Sequence, residues 1–128
     1  MLITDPVLLQ SYTSPYRVWQ GIPAIERIPG GRLFAACFSG MTTECVGNYV
    51  LLMESRDNGE TFSQPIAVAY NGQSSRCYDP TLWLDPLGRL WFTWNLVPEM
   101  RKSQNILKNT AILISALDSC VLPDTGMA

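Results

Sequence analysis

The feature that most constrains this 128-residue chain is that part of it is written twice. Residues 22–38 read Ile-Pro-Ala-Ile-Glu-Arg-Ile-Pro-Gly-Gly-Arg-Leu-Phe-Ala-Ala-Cys-Phe, and residues 79–95 read Asp-Pro-Thr-Leu-Trp-Leu-Asp-Pro-Leu-Gly-Arg-Leu-Trp-Phe-Thr-Trp-Asn. At a constant offset of 57, Pro23 matches Pro80, Pro29 matches Pro86, and Gly31-Arg32-Leu33 matches Gly88-Arg89-Leu90. These are five identities in 17 positions without a gap, and Ile25/Leu82 and Phe34/Trp91 are apolar in both copies. Prolines and glycines dictate backbone geometry, so shared ones imply a shared fold. Each copy predicts a β-hairpin: an extended segment, a turn in which Pro presets φ and Gly supplies positive φ, and a second strand.

Along the second strand, Leu33, Ala35 and Cys37 point one way, and Phe34, Ala36 and Phe38 point the other. Both faces are apolar, which places the strand in a sheet stacked between other layers. Within one 57-residue period the sequence predicts four strands, at 23–27, 32–38, 48–54 and 61–69. Four-stranded units repeating at this spacing point to a β-propeller, whose blades run roughly 40–50 residues in familiar repeats. The expected class is all-β, as a partial propeller of about two blades. The whole chain is read as one incomplete domain, with blade one at about 16–70, the start of blade two at about 75–95, and 96–128 unassigned.

Composition removes several functions. There is no histidine, so a Ser-His-Asp triad, a Cys-His dyad or a His-ligated metal cannot come from this chain alone. Net charge is −2, and the seven arginines and two lysines are scattered, which gives no footprint for nucleic acid. Cys37, Cys45, Cys77 and Cys120 form no C-x-x-C pair, so they read as buried free thiols and not as a zinc or redox motif. No cofactor or metal is expected. No apolar run approaches the roughly 20 residues that cross a bilayer. The N-terminus lacks the basic and apolar regions of a signal peptide. The expected location is cytoplasmic, away from membranes.

Between the two hairpins stands Ser55-Arg-Asp57-Asn-Gly59-Glu-Thr61-Phe62. It satisfies the pattern Ser-x-Asp-x-Gly-x-Thr-aromatic in full, and here the sequence resembles the sialidase (neuraminidase) superfamily, in which this Asp box, or BNR repeat, recurs on successive blades. The resemblance covers about residues 16–95, including Gly21-Ile22-Pro23 and Asp79-Pro80 as the openings of the two blades. It implies a sialidase-like propeller, with Ser55, Asp57, Gly59, Thr61 and Phe62 as a structural turn on the outer rim. Asp57 accepts backbone hydrogen bonds there, Gly59 is left-handed, and Phe62 anchors the turn. In the family an Arg before Ile-Pro grips the substrate carboxylate. In register that position is Gly21, which leaves a neutral sugar as eligible as sialic acid.

The resemblance further implies an acid/base carboxylate on the loop after the second strand, where Glu44 is the only carboxylate in 39–47. Arg76 and Asp79, at the start of the second blade's first strand, are candidate substrate-binding residues, with an Arg–Asp pair that fixes the loop as the plainer reading. Gln20, at the equivalent entry of blade one, and Arg17, as a shifted substitute four residues upstream of Gly21, are further substrate-binding candidates. Trp19 is either a sugar-stacking platform or core, and Trp83, Trp91 and Trp94 are expected between blades. After Asn95 the likeness ends: residues 112–119 carry no second Asp box, and 101–117 reads equally as strand or short helix. The expectation is the N-terminal fragment of a glycoside hydrolase acting on glycan termini, inactive as this chain alone. A non-catalytic carbohydrate- or protein-binding module and an inactive remnant are the alternatives. Carbohydrate is the expected ligand, and exposed blade faces suit self-association.

Overall fold

The computed structural model describes residues 1–97. Seven strands, all paired antiparallel, form two open sheets among the described residues. Strands β1 (Leu2–Ile3), β2 (Trp19–Arg27), β3 (Leu33–Gly40), β4 (Tyr49–Ser55) and β5 (Ala67–Ala69) make one sheet in the order β1-β5-β4-β3-β2. Strands β6 (Arg76–Leu84) and β7 (Leu90–Val97) make a separate hairpin. A one-turn helix α1 (Pro6–Leu9) and two 3-10 turns, Gln10–Tyr12 and Ser14–Tyr16, join β1 to β2. No described helix is long and apolar enough to cross a membrane.

The two copies of the repeat fold alike down to single hydrogen bonds. In the first turn Ile28 N–H donates to Arg32 O (3.0 Å) and Gly31 N–H to Ile28 O (3.1 Å). In the second, Asp85 N–H donates to Arg89 O and Gly88 N–H to Asp85 O, both at 2.9 Å. Gly31 and Gly88 carry the positive φ that closes each turn, +96° and +79°. The bulges coincide as well. Pairing of β2 with β3 slips between Gly21 and Ala24, and pairing of β6 with β7 slips between Tyr78 and Thr81. At the centre of each bulge a residue before proline sits at positive φ, Ile22 at +39° and Asp79 at +45°. Positive φ is uncommon outside glycine, and rarest for a β-branched residue such as Ile22. The extra residue reverses the alternation of side chains along each first strand.

Alternation then builds two apolar layers. Phe34, Ala36 and Phe38 of β3, Val50 and Leu52 of β4, and Ala67 and Ala69 of β5 face the β6–β7 hairpin, which contributes Cys77, Leu82, Leu90, Phe92 and Trp94. The opposite face presents Ile3, Cys37, Tyr49, Leu51 and Val68, covered by Leu9. Hence β3 is buried on both sides, as its sequence predicts. The packed face of the second hairpin holds Leu82, Phe92 and Trp94, whose counterparts Ile25, Ala35 and Cys37 lie on the far face of the first. The two units therefore stack in the same orientation. Glu26 bridges them, its Oε2 accepting from Leu84 N–H at 3.2 Å.

Several expectations need correction. The strand read at 61–69 shrinks to Ala67–Ala69, because Pro65 has no N–H to give a ladder. The N-terminal 15 residues, left outside blade one, supply β1 and the cover of the second layer. Of the three tryptophans expected between blades, only Trp94 is buried; Trp83 is 53% exposed and Trp91 half-buried. Both project from the hairpin face turned away from the large sheet. Phe62 is 41% exposed and anchors little. The tail readings at 101–117 and 112–119, and Cys120, lie outside the described residues.

Candidate ligand-binding site

The strand ends sort the polar residues into two groups. One end gathers the start of β2, the end of β3, the loop 41–48 and the start of β6. The other gathers both hairpin turns and the Asp box that follows β4.

At the first end, two loops are laced together. Asn48, only 1% exposed, accepts from Cys45 N–H through Oδ1 (2.8 Å) and donates through Nδ2 to Thr43 O (3.2 Å). Gly47 N–H donates to Ser75 O (2.7 Å), and Cys77 N–H donates to Asn48 O (3.1 Å). Gly40 has no side chain because a Cβ there would fall on the Asn48 amide. This lacing sets Glu44 against Arg76, whose guanidinium donates to Glu44 Oε1 as an ion pair. Arg76 also lies over the rings of Tyr78 (4.4 Å) and Phe38 (5.6 Å). Its Nε is buried without a partner. Glu44 is more than half exposed, so the pair meets solvent on the carboxylate side.

Arg17 and Gln20 belong to the opposite face of the large sheet. Gln20 Oε1 accepts weakly from Cys37 Sγ (3.8 Å) and lines a cleft of about 320 Å³ with Pro23, Ala35 and Met53. Arg17 donates to Ser14 Oγ (3.0 Å) and leaves Nε and Nη1 buried without partners. Burial raises the Cys37 thiol and Tyr49 phenol above their ordinary values, with the Arg17 charge pulling each back. Burial pushes Cys77 up to about 11, so this thiol stays protonated at neutral pH. Asp79 sits half-buried in its bulge. The loop-fixing pair joins Arg76 to Glu44, not to Asp79. Trp19 packs edge-on against Phe38 with ring centroids 5.0 Å apart. Its indole lies 3.0 Å from where a Gly21 Cβ would be, so Trp19 fills the space an arginine side chain would leave by.

At the second end, Asp57 is bonded within its own turn. Its Oδ1 accepts from Ser55 Oγ (2.8 Å) and Thr61 N–H (2.9 Å), and Oδ2 accepts from the Thr61 hydroxyl (2.5 Å). Those bonds, Thr61's first, hold its carboxyl down to about 2. Gly59 is left-handed at +89°, and its N–H donates to Ser55 Oγ. Sequence reasoning missed Asp85, which is 5% exposed. Burial would raise it, but hydrogen bonds from the Trp91 indole, the Arg89 N–H and guanidinium, and the Leu87 N–H hold it well below the carboxylate range. Asn48 was missed too; the Gly47-Asn48 pair closing a polar loop was its only signal.

Among the described residues no group of three or more Cys, Asp or Glu side chains gathers to hold a metal ion. No family model, curated protein or solved structure matches the chain.

Proposed function

We propose that this chain is part of a sialidase-like, Asp-box propeller, and that the end carrying Glu44 and Arg76 contacts a carbohydrate. The observation that supports the reading most is the Asp57 hydrogen-bond set on a five-stranded antiparallel sheet, in which β2–β5 make the expected four strands and β1 adds a fifth, followed in the same orientation by a second, equivalent hairpin. In that reading the Asp box lies at the end of the strands opposite the ligand, and the laced loops supply the ligand-facing polar groups.

The intact protein would be a glycoside hydrolase acting on glycan termini, and the 128-residue chain alone would be inactive. Glycosidases use a carboxylate pair, or in sialidases a Tyr nucleophile beside the acid. A lone general acid gives only about 10²–10⁴-fold. The ion pair favours a second reading, a non-catalytic binding module. One Glu44 oxygen is already occupied by a donor-only guanidinium, which is an arrangement for holding a ligand hydroxyl and not for delivering a proton. A fluorogenic sialoside assay on the purified chain, with Glu44→Gln alongside, tests the first reading: no release is expected. Release that depends on Glu44 would show a working site. Saturable binding of a monosaccharide that is lost in Arg76→Gln supports carbohydrate contact at this end, and its absence for neutral and acidic sugars alike removes the proposal.

A further inference from the structure

The hairpin turn and the Asp box face each other across a cleft of about 560 Å³ at the end opposite Glu44. Three guanidiniums line it, Arg27, Arg32 and Arg56, around the Gly30-Gly31 turn. Arg32 and Arg56 share one carboxylate, Glu54, at 3.1 and 3.3 Å. Asp57 spends both oxygens inside its own turn. Arg27 is different. Its Nη1 donates to Gly31 O (2.8 Å) and its Nη2 to Asn58 Oδ1 (2.7 Å), two neutral acceptors that fix the guanidinium without cancelling its charge. Among the described residues no carboxylate forms an ion pair with it; the neighbouring Glu26 turns to the backbone of Arg27 and Leu84. With Glu54, behind the lining, counted beside Asp57, the three arginines leave an excess of one positive unit, carried by a side chain already held in place.

The second copy of the hairpin acts as an internal control. It keeps the same two backbone turn bonds with Leu84 where the first has Arg27, and with Leu87, which lacks the positive φ, where the first has Gly30 at +96°. Its Arg89 is drawn into the turn by Asp85 (2.7 Å), whereas the first copy has Ile28 there and leaves Arg32 facing the cleft. The positive cleft is thus no requirement of the hairpin fold. It exists only where the two copies differ.

We infer that this cleft is a binding site for an oxyanion group, carboxylate, sulfate or phosphate, borne by a small polar ligand. Fixed guanidiniums suit planar and tetrahedral oxyanions because they offer paired N–H donors. The volume falls within the roughly 300–1,000 Å³ of small-ligand sites. The site is independent of the Glu44–Arg76 end, so either can fail without the other.

The test is an NMR titration of the full isotope-labelled chain with sulfate, phosphate and glucuronate in turn, at ionic strength held constant with sodium chloride. Saturable shifts of the Arg27 side-chain N–H and the Gly30 and Gly31 amides are expected for at least one probe, and which probe binds most tightly separates the three sources. Arg27→Leu copies the second hairpin and should weaken that binding at least tenfold. Ile28→Asp, which also copies the second hairpin and recruits Arg32 into the turn, should weaken it at least threefold, and serves if the first variant does not fold. Non-saturating shifts with every probe, or unchanged affinity in both variants, overturn the inference.

Discussion

Replacing Asn48 by alanine should unlace the loop that carries Glu44. The side chain, 1% exposed, accepts from Cys45 N–H at 2.8 Å and donates to Thr43 O at 3.2 Å, with a third, weak contact to Cys45 Sγ at 3.9 Å. Each bond contributes about 1 kcal/mol net, and leaving buried partners unsatisfied adds to the loss, which gives about 2–3 kcal/mol. At about 4 °C per kcal/mol for a chain of this size, Tm should fall by about 8–12 °C. Gly40→Ala reaches the same amide by another route, because the new Cβ would displace it. The two changes should therefore be strongly sub-additive: once the amide is gone, the methyl has nothing to strike. Thermal unfolding of both single variants and the double variant, followed by circular dichroism, gives the coupling energy, expected at about 1–2 kcal/mol. A fall of under 2 °C for Asn48→Ala, or strictly additive losses, would refute the role assigned to this side chain.

Other outcomes follow from the same structure. Asp57, held down to about 2, contributes stability that is fully present above the unfolded carboxylate value near 4 and is lost as pH falls toward 2; Asp57→Asn should flatten the Tm profile across that window. Asp85 is lowered in the same direction, so acid unfolding should remain partly visible in that variant. Phe92→Ala empties a fully buried position between the sheet and the hairpin and should cost about 3–5 kcal/mol in urea unfolding. Among the three described thiols, half-buried Cys45 should react with a disulfide reagent well before buried Cys37 and Cys77.

Much of the strand framework was legible because local chemistry dictates it. The Pro–Gly turns, the doubly apolar β3 and the Asp-box pattern each name their own geometry. The fate of Trp83 was not legible: alternation fixes which face a residue takes, but not whether another layer covers that face. Residues 1–15 offered no periodicity, since β1 is two residues long and borrows its partner from β5, 65 or more positions away. The Glu44–Arg76 contact escaped for the same reason. It joins residues 32 apart through backbone bonds between two irregular loops, and no spacing rule reaches across them. Gly21 and Asp79 show the converse: a position recognised from pattern alone, whose surroundings decide what it does.

The duplicated hairpins also bear on how the chain finds its fold. Neighbouring units with the same turns and bulges invite exchange of partners, and misassembly is the characteristic failure of repeat proteins. Here the shared residues sit at the turns and bulges, while the cross-strand partners differ: Ile25 meets Ala35, but Leu82 meets Phe92; Glu26 meets Phe34, but Trp83 meets Trp91. Were β2 to capture β7 in the same register, Ile25 would face the bulk of Phe92 and Glu26 would face Trp91, while β3 would be left with the wide face of β6. The mismatched strands work as addresses, so that turns can be reused while each strand still recognises its own neighbour. Making the copies more alike, for instance by Ala35→Phe, should leave each hairpin's local geometry intact and yet slow refolding, as wrongly paired chains accumulate and must come apart.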